Sequence, residues 1–249
     1  MIRTGEREEK RLERHFDQDL EALKDLLLRM GGRVEAIIQK SIEAVKRRDV
    51  ALANEVFADD QAIDGMEIDI DNRCIGLLAL RQPMAVDLRF ITSALKITND
   101  LERVGDHAVN IAGSAIRLAE EPQLKPLVDI PRMADMAAGM LREALDAFVR
   151  RDAATARRLV RRDDDVDNLN RQLFRELISF MIEDPHTITR ALELILVARN
   201  LERVADLATN VAEEVVFIAE ARIIKHHADE LGEERAAAGS LGEDDFGRT

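Results

Sequence analysis

Residues 99–112 read NDLERVGDHAVNIA, and residues 199–212 read RNLERVADLATNVA, 100 positions further along the chain. Eight of the fourteen positions are identical, and the spacing between the two copies needs no gap. A repeat this dense is the usual signature of an internal duplication. The rest of the chain is therefore expected to fall into two halves built on the same plan.

Both copies have the periodicity of an α-helix with one buried side. Apolar residues recur at the a and d positions of a heptad, which places them on a single seam. The seam residues are Leu101, Val104, Ala108, Ile111, Ala115 and Leu118 in the first copy and Leu201, Val204, Ala208, Val211, Val215 and Ile218 in the second. We predict that each seam faces a hydrophobic core.

A polar row accompanies each seam at intervals of four residues, which places its members on one helix face. The rows are Glu102, Asp106 and Asn110 in the first copy and Glu202, Asp206 and Asn210 in the second. Carboxylates four apart repel each other by a few tenths of a kcal/mol unless a positive charge lies between them. A solvated helix face would explain one such pair, whereas the same triad in both copies favours a site for a hard or borderline cation.

Earlier in each half, a second row of acids lies on a different predicted helix. It contains Asp60, Asp64, Glu67 and Asp71 in the first half and Asp163 and Asp167, with Asp164 and Asp165 between them, in the second. If the two helices of a half are antiparallel neighbours, four carboxylates can converge. Their mutual repulsion would push their pKa values apart, and a bound cation would remove that cost.

The composition is that of a helical protein. The chain has 249 residues, of which 46% are hydrophobic and 34% charged, with no Trp or Tyr and only 5 Pro. Long amphipathic helices have this balance, since sandwiches and barrels use more turn residues and aromatics. We therefore expect an all-α fold. A net charge of −13 argues against nucleic-acid binding, which requires basic side chains to neutralise phosphates.

Two further features bear on location and redox chemistry. The charged N-terminal residues 1–14 lack the apolar stretch of a signal peptide, and no apolar run approaches the length of a transmembrane helix. We therefore predict a cytoplasmic protein. Cys74 is the only cysteine, so no internal disulfide can form, and its neighbours Ile70 and Leu77 predict a place in a helix core.

Prolines, glycines and apolar stripes divide the chain into six predicted helices. Gly31-Gly32 lies inside the first helix, from about residue 15 to 47, and predicts a kink or a close helix contact. The fifth helix is expected to start near residue 152 and to end at the turn of residues 183–186. The predicted organisation is a disordered tail (1–14), a three-helix bundle (15–121), a linker (122–131), a second bundle (132–226) and a disordered tail (227–249), with an exposed His226-His227 pair at the second boundary.

Several stretches together resemble the PhoU family of phosphate-specific transport accessory and regulatory proteins. They are HFDQDLEALKDLLLRMGGRVE (15–35), DDQAIDGMEIDID (59–71), QPMAVDLRFITSALKITNDLERVGDHAVNIA (82–112) and ARNLERVADLATNVAEEVVFI (198–218). The resemblance implies two tandem three-helix bundles that hold metal ions or multinuclear clusters at surface E(D)xxxD pairs. Carried over, these pairs are Asp60/Asp64 with Glu102/Asp106 and Asp163/Asp167 with Glu202/Asp206, continued by Asn110 and Asn210.

The second copy departs from this pattern at two positions. Gly105 and His107 of the first copy are Ala205 and Leu207 in the second, which puts the second site in question because a ligand or a supporting hydrogen bond is lost. Carboxylate-rich sites accept Mg, Mn, Ca or Fe, and His107 would also admit Zn or Ni. The sequence leaves the metal and the number of ions open.

The resemblance implies a non-enzymatic negative regulator of phosphate uptake and of the phosphate-starvation response. It would act between the ATPase subunit of a phosphate ABC transporter and a sensor histidine kinase, as a homodimer, and would reach the membrane only through those partners. A metal-free helical adaptor is the first alternative. A carboxylate-bridged di-metal enzyme is the second, but it would use inward-facing ExxH pairs, and the only one here, Glu183 to His186, is interrupted by Pro185. No P-loop, GxSxG or nucleophile motif occurs.

Overall fold

A computed structural model describes residues 2–81, 83–222 and 224. Over these residues the chain forms α-helices and no β-strand, which confirms the all-α class. The helices are α1 (Ile2–Arg47), α2 (Val50–Arg81), α3 (Ala85–Ala119), α4 (Asp129–Arg150), α5 (Ala153–Val160), α6 (Asp163–Glu183) and α7 (Ile188–Glu220), with a 3-10 turn at Pro185–Thr187 before α7. None of the described helices is long and apolar enough to cross a lipid bilayer.

The helices form two tandem bundles, as the repeat predicts. In the first bundle α1, α2 and α3 pack against one another, and in the second α4 and α7 pack together with α5 and α6 alongside. The seams predicted for α3 and α7 are buried over nearly their whole length, with only Leu118 partly accessible. Cys74 is also fully buried, and burial, with a smaller effect of Asp71, raises the pKa of its thiol to about 12.

The two bundles share one continuous hydrophobic core. The helices α3 and α7 pack against each other, and α1 contacts α4. Contacts near one end of α3 involve Ser93 and Glu214 (2.7 Å), whereas those near its other end involve Arg117 and Glu193 (2.6 Å). The residue numbers of the α7 partners fall as those on α3 rise, so the two helices are antiparallel.

The fifth predicted helix is interrupted, so its two segments are α5 and α6. Arg161 and Arg162 lie at the break. Immediately after them, Asp163, Asp164 and Asp165 occupy the first turn of α6. Aspartate is a poor residue for a helix interior but is stabilised at a helix N-terminus, where it faces the positive end of the dipole. Three consecutive aspartates therefore favour a new helix start, which a hydrophobic repeat alone does not reveal.

Several predicted boundaries differ from the observed ones. The helix α1 begins at Ile2 instead of near residue 15, since the charged N-terminal segment is rich in Glu, Lys and Arg, which are good helix formers. The helix α4 begins at Asp129, because Pro131 is tolerated in a first turn. The helix α7 ends at Glu220, where Ala221 adopts left-handed backbone geometry with φ 54°. The predicted tail 227–249 and His226-His227 lie outside the described residues.

The bundles also meet along α1 and α4, where Gly31 allows close approach. A Cβ placed on Gly31 would overlap Cδ1 of Leu145, whereas a Cβ on Gly32 would have no neighbour within 4 Å. Nearby, the Phe90 and Phe148 rings stack with centroids 4.9 Å apart, and Arg142 pairs with Glu35 at the surface. Of the two consecutive glycines, Gly31 is therefore the one that the packing requires.

Gly31→Val should lower the free energy of unfolding by about 1–3 kcal/mol, because the added side chain overpacks a closed interface. The matched change Gly32→Val should be close to neutral, because it projects into open space. Denaturant unfolding followed by far-UV circular dichroism measures both. Equal stabilities of the two variants would contradict this account of the α1–α4 contact.

Candidate functional site

The predicted acidic rows of the first half meet along the groove between α2 and α3. We call Asp60, Asp64, Glu67, Glu102 and Asp106 the first acidic edge. Burial, followed by the charges of Asp64 and Asp106, raises the pKa of Asp60 from 3.8 to about 6. Asp60 on α2 is therefore close enough to Asp106 on α3 for their charges to interact, so the fold brings the two rows together.

The same mutual influence is visible at the two glutamates of the edge. Burial raises the pKa of Glu102, followed by the charges of Asp106, Glu67, Asp64 and Asp60. Burial also raises the pKa of Glu67, with contributions from Asp71 and Asp64, while a hydrogen bond with Asn99 lowers it. Glu67 belongs to the acidic row in the sequence but not to the predicted ligand set. The spacing of three residues between Asp64 and Glu67 places both on one helix face, and this spacing could have added Glu67 to the predicted ligand set.

Gly105 makes room for the Asp60 side chain. A Cβ on Gly105 would lie 2.5 Å from Oδ1 of Asp60, so the Asp60 carboxylate lies directly over the α3 backbone. In the second copy the equivalent residue is Ala205, which is fully buried. The difference between Gly105 and Ala205 therefore changes the space available to the α2 or α6 carboxylate next to it.

The second acidic edge consists of Asp163, Asp167, Glu202 and Asp206, between α6 and α7. Asp163 is buried at the start of α6. Burial raises the pKa of Glu202, as do the charges of Asp167 and Asp206, while Arg203 and Arg199 lower it. Here too the fold brings the two predicted rows together.

Hydrogen bonds organise the second edge differently from the first. Nδ2 of Asn170 donates to Oε2 of Glu202 at 2.5 Å, and NH1 of Arg203 donates to Oδ2 of Asp206 at 2.8 Å. Asn170 follows Asp163 by seven residues, as Glu67 follows Asp60. An amide donor therefore replaces a carboxylate at this position, which lowers the negative charge of the second edge.

Two residues near the predicted sites, Asn210 and His107, lie elsewhere. Asn210 hydrogen-bonds Asp100, whose pKa burial raises to about 6, so Asn210 contributes to the contact between α3 and α7. The Nδ1 atom of His107 lies 2.9 Å from Oδ1 of Asn200 in the same contact. Asn110 is exposed. His107 follows Asp106 by one residue, so a rotation of about 100° turns it away from the acidic edge and towards α7.

The first edge suits a cation in charge and in donor type. Its donors are carboxylate oxygens, the ligands of hard cations, and no described Lys or Arg forms a salt bridge with any of its five residues. Within the part of the chain that the structure describes, no three His, Cys, Asp or Glu residues are already arranged around one point.

Comparison with known proteins agrees with the fold and the duplication. The family model for the PhoU domain matches twice, at residues 27–115 and 130–215. A phosphate-specific transport system accessory protein PhoU homolog from Aquifex aeolicus is 45% identical over 217 residues, which cover 87% of this chain and 98% of that protein. The corresponding protein of Pseudomonas putida is 39% identical over 86% of this chain and 84% of its own length.

Two solved structures have the same architecture. The crystal structure of PhoU from Pseudomonas aeruginosa has a TM-score of 0.80 and 40% identity, over 83% of this chain and all of that chain. The phosphate transport system regulatory protein PhoU from Streptococcus pneumoniae has a TM-score of 0.79 and 29% identity, over 84% of this chain and 99% of that chain. The molecule is thus a duplicated helical-bundle protein of the phosphate-transport accessory class. The chain belongs to the PhoU family.

The raised pKa of Asp60 predicts a specific dependence of stability on pH. The folded chain holds the Asp60 proton more tightly than the unfolded chain, so the contribution of Asp60 to stability is fully present below the unfolded value of 3.8 and is lost as the pH rises through about 6. Asp60→Asn removes this loss. After discounting for solvent screening, we expect it to raise the free energy of unfolding at neutral pH by about 1 kcal/mol.

Denaturant unfolding of chelator-treated protein between acid and neutral pH measures this effect. Asp69→Asn is the matched control, because Asp69 is an exposed aspartate on the same helix. The account fails if Asp60→Asn and the wild-type chain lose stability in parallel over this pH interval.

Proposed function

We propose that this chain is a negative regulator of phosphate uptake and of the phosphate-starvation response. The observation that carries the proposal is the match to accessory proteins of phosphate-specific transport, which extends over 87% of this chain and 98% of one such relative. A match across both repeats supports a function of the whole two-bundle unit. The first acidic edge lies on the outside of the first bundle, where Asp64 and Asp106 are exposed and a partner can reach them.

The proposal includes two protein partners. The ATPase subunit of the phosphate ABC transporter would be one and the cytoplasmic part of a sensor histidine kinase the other, and binding would differ between their active and inactive states. A regulator can shift such an equilibrium only by as much as its affinities for the two states differ. The chain would act in the cytoplasm and would meet the membrane through these partners, because its net charge of −13 disfavours contact with anionic lipid.

We extend the proposal to assembly as a homodimer. Large apolar side chains remain exposed on α2, among them Ile68 and Ile75, which are 60% and 59% accessible. They are seven residues apart and therefore lie on one helix face. Light scattering should give a mass of twice 28.0 kDa, and a monomer mass at micromolar concentration would contradict the dimer.

Gene deletion tests the regulatory function directly. Loss of the gene from its host should leave phosphate-starvation genes active in phosphate-rich medium, because the kinase would no longer receive the repressing signal. Transcript levels of those genes provide the measurement, and complementation with the intact gene is the control. Normal repression in a deletion strain that has no second copy of the gene would exclude this function and favour the metal-free adaptor.

Metal binding is a separate part of the proposal. The first edge would hold a divalent or trivalent cation through Asp60, Asp64, Glu102 and Asp106, with the metal (Fe, Mn, Mg, Zn, Ni or Ca) to be identified. The support is the raised pKa of Asp60 and of Glu102, to which burial and the charges of the neighbouring acids contribute; a cation would offset this repulsion. The second edge (Asp163, Asp167, Glu202 and Asp206) would contribute less, because Asn170 and Arg203 already engage two of its carboxylates. Asn110 would continue the first row, and Asn210 would add nothing while it is bonded to Asp100.

Glu102→Ala combined with Asp106→Ala should therefore lower the metal content of the purified protein while leaving its helical circular dichroism unchanged. Elemental analysis of protein prepared without a chelator or an affinity tag measures the stoichiometry. Glu202→Ala with Asp206→Ala is the matched control in the second copy and should cost less metal. Unchanged stoichiometry in the first double variant would remove the metal from the proposal.

A further inference from the structure

The second bundle has an open groove of about 560 Å³ beside the second acidic edge. Its lining includes Arg171, Arg175, Arg199 and Arg203 together with Phe174. We call these five residues the arginine groove. In a chain whose net charge is −13, four guanidinium groups in one groove form a local exception to the overall charge.

The arginines form two rows on neighbouring helices. Arg171 and Arg175 are four residues apart on α6, and Arg199 and Arg203 are four residues apart on α7, so each pair occupies one helix face. The hydrogen bond from Asn170 to Glu202, at 2.5 Å, fixes the register of the two helices next to the groove. The rows therefore lie on opposite walls of the same opening, and all four side chains are exposed.

Part of this positive charge is not neutralised within the chain. Among the described residues, no salt bridge involves Arg171, Arg175 or Arg199, while Arg203 pairs with Asp206 at 2.8 Å. Glu202 also lines the groove, and the charges of Arg203 and Arg199 lower its pKa, so the arginines of α6 are the less compensated pair. The Nε atoms of Arg171 and Arg175 donate to backbone carbonyls of the preceding turn, at 3.3 and 3.2 Å. These bonds hold the two side chains along the helix, and because the acceptors are backbone carbonyls, they pair neither guanidinium group with a carboxylate.

Descent from a common repeat does not account for the cluster. The two halves are related by an offset of 103 residues between α2 and α6 and of 100 residues between α3 and α7. Arg171 and Arg175 therefore correspond to Ile68 and Asn72, and Arg199 and Arg203 correspond to Asn99 and Arg103. Three of the four arginines thus occur only in the second half. Phe174 likewise corresponds to Asp71, so the second groove has exchanged an acid for an aromatic ring.

The chemistry of the groove selects for phosphate. Like charges four apart on a helix repel each other, and a bound anion would remove that cost. The planar guanidinium binds phosphate oxygens through two parallel hydrogen bonds, which makes arginine the preferred residue for this group. The volume of the groove falls within the range of small-molecule sites, and Phe174, which is 49% exposed, offers an aromatic surface.

We propose that the arginine groove binds an anion that contains two or more linked phosphoryl groups. Two arginine rows can bind successive phosphoryl groups, which a single orthophosphate cannot span. Nucleoside polyphosphates and inorganic polyphosphate share this chemistry, and only the former would also use Phe174. The inference goes beyond the regulatory function proposed above and does not depend on it.

Isothermal titration of the full chain in chelator-containing buffer tests the proposal, since the chelator excludes binding through a cation at the acidic edges. The probes are ATP, inorganic tripolyphosphate, orthophosphate and an acidic peptide of glutamates. We expect saturable binding of ATP or tripolyphosphate that weakens between about 0.05 M and about 0.5 M NaCl because salt screens the charges. Orthophosphate should bind more weakly than either.

Variants locate the site. Arg171→Gln with Arg199→Gln should weaken binding by about tenfold or more, since each substitution removes a charge-assisted hydrogen bond. The matched control is Arg29→Gln with Arg33→Gln, an exposed pair four apart on α1, which should leave the affinity unchanged. Phe174→Leu should weaken ATP but not tripolyphosphate if the natural ligand is a nucleotide, and neither probe if it is inorganic polyphosphate.

Three outcomes would overturn the proposal. They are the absence of saturable binding of ATP and tripolyphosphate at about 1 mM, equal affinities in the groove and control variants, and tighter binding of the glutamate peptide than of either phosphoryl probe. The last result would assign the groove to an acidic protein segment. Circular dichroism of each variant confirms that it is folded, so a loss of binding can be attributed to the groove.

Discussion

The antiparallel packing of α3 against α7 is the contact on which the structure depends. Each helix completes its own three-helix bundle with its buried seam, and each also packs against the other. Full burial of a Leu, Val or Ile side chain contributes about 1.5–3 kcal/mol, whereas an exposed ion pair such as Arg117 with Glu193 contributes about 0–1 kcal/mol. The apolar surface therefore holds the repeats together, and the polar contacts at its margins determine which residues face each other.

The burial of the apolar seams of α3 and α7 also determines where the acidic rows lie. Because the seams of α3 and α7 face inward, the rows that contain Glu102 and Glu202 are directed to the grooves along α2 and α6. There the carboxylates are partly buried, and desolvation is the largest cause of the raised pKa of both glutamates. The fold thus places like charges where water screens them incompletely, and it does so twice.

The two repeats differ in how they accommodate the repulsion among these partly buried carboxylates. In the first, Glu67 adds another carboxylate, and Gly105 leaves space for Asp60 against the α3 backbone, an arrangement that concentrates negative charge. In the second, Asn170 donates a hydrogen bond to Glu202 and Arg203 pairs with Asp206, so the charge is lowered within the protein. If both proposals hold, the duplicated scaffold carries a cation site at the first edge and an anion groove in the other half.

Local spacing along the chain was sufficient to predict much of this architecture. The heptad seams, the duplication, the helix plan apart from the break between α5 and α6, the buried Cys74 and the turn before α7 all follow from side-chain periodicity and from residues that break helices. These are properties of neighbouring residues, so the sequence carries them directly. The acidic rows could be placed on helix faces for the same reason.

Contacts between distant segments decided what the sequence could not. Gly31 and Gly32 are indistinguishable in the sequence, and only Leu145 of another helix makes Gly31 the essential one. His107 and Asn210 were expected at or near the acidic edges, but the rotation of α3 against α7 directs them to Asn200 and Asp100. The arginine groove likewise exists only because α6 and α7 are adjacent and antiparallel. The relative rotation of packed helices is set by the fit of whole surfaces, and no local pattern records it.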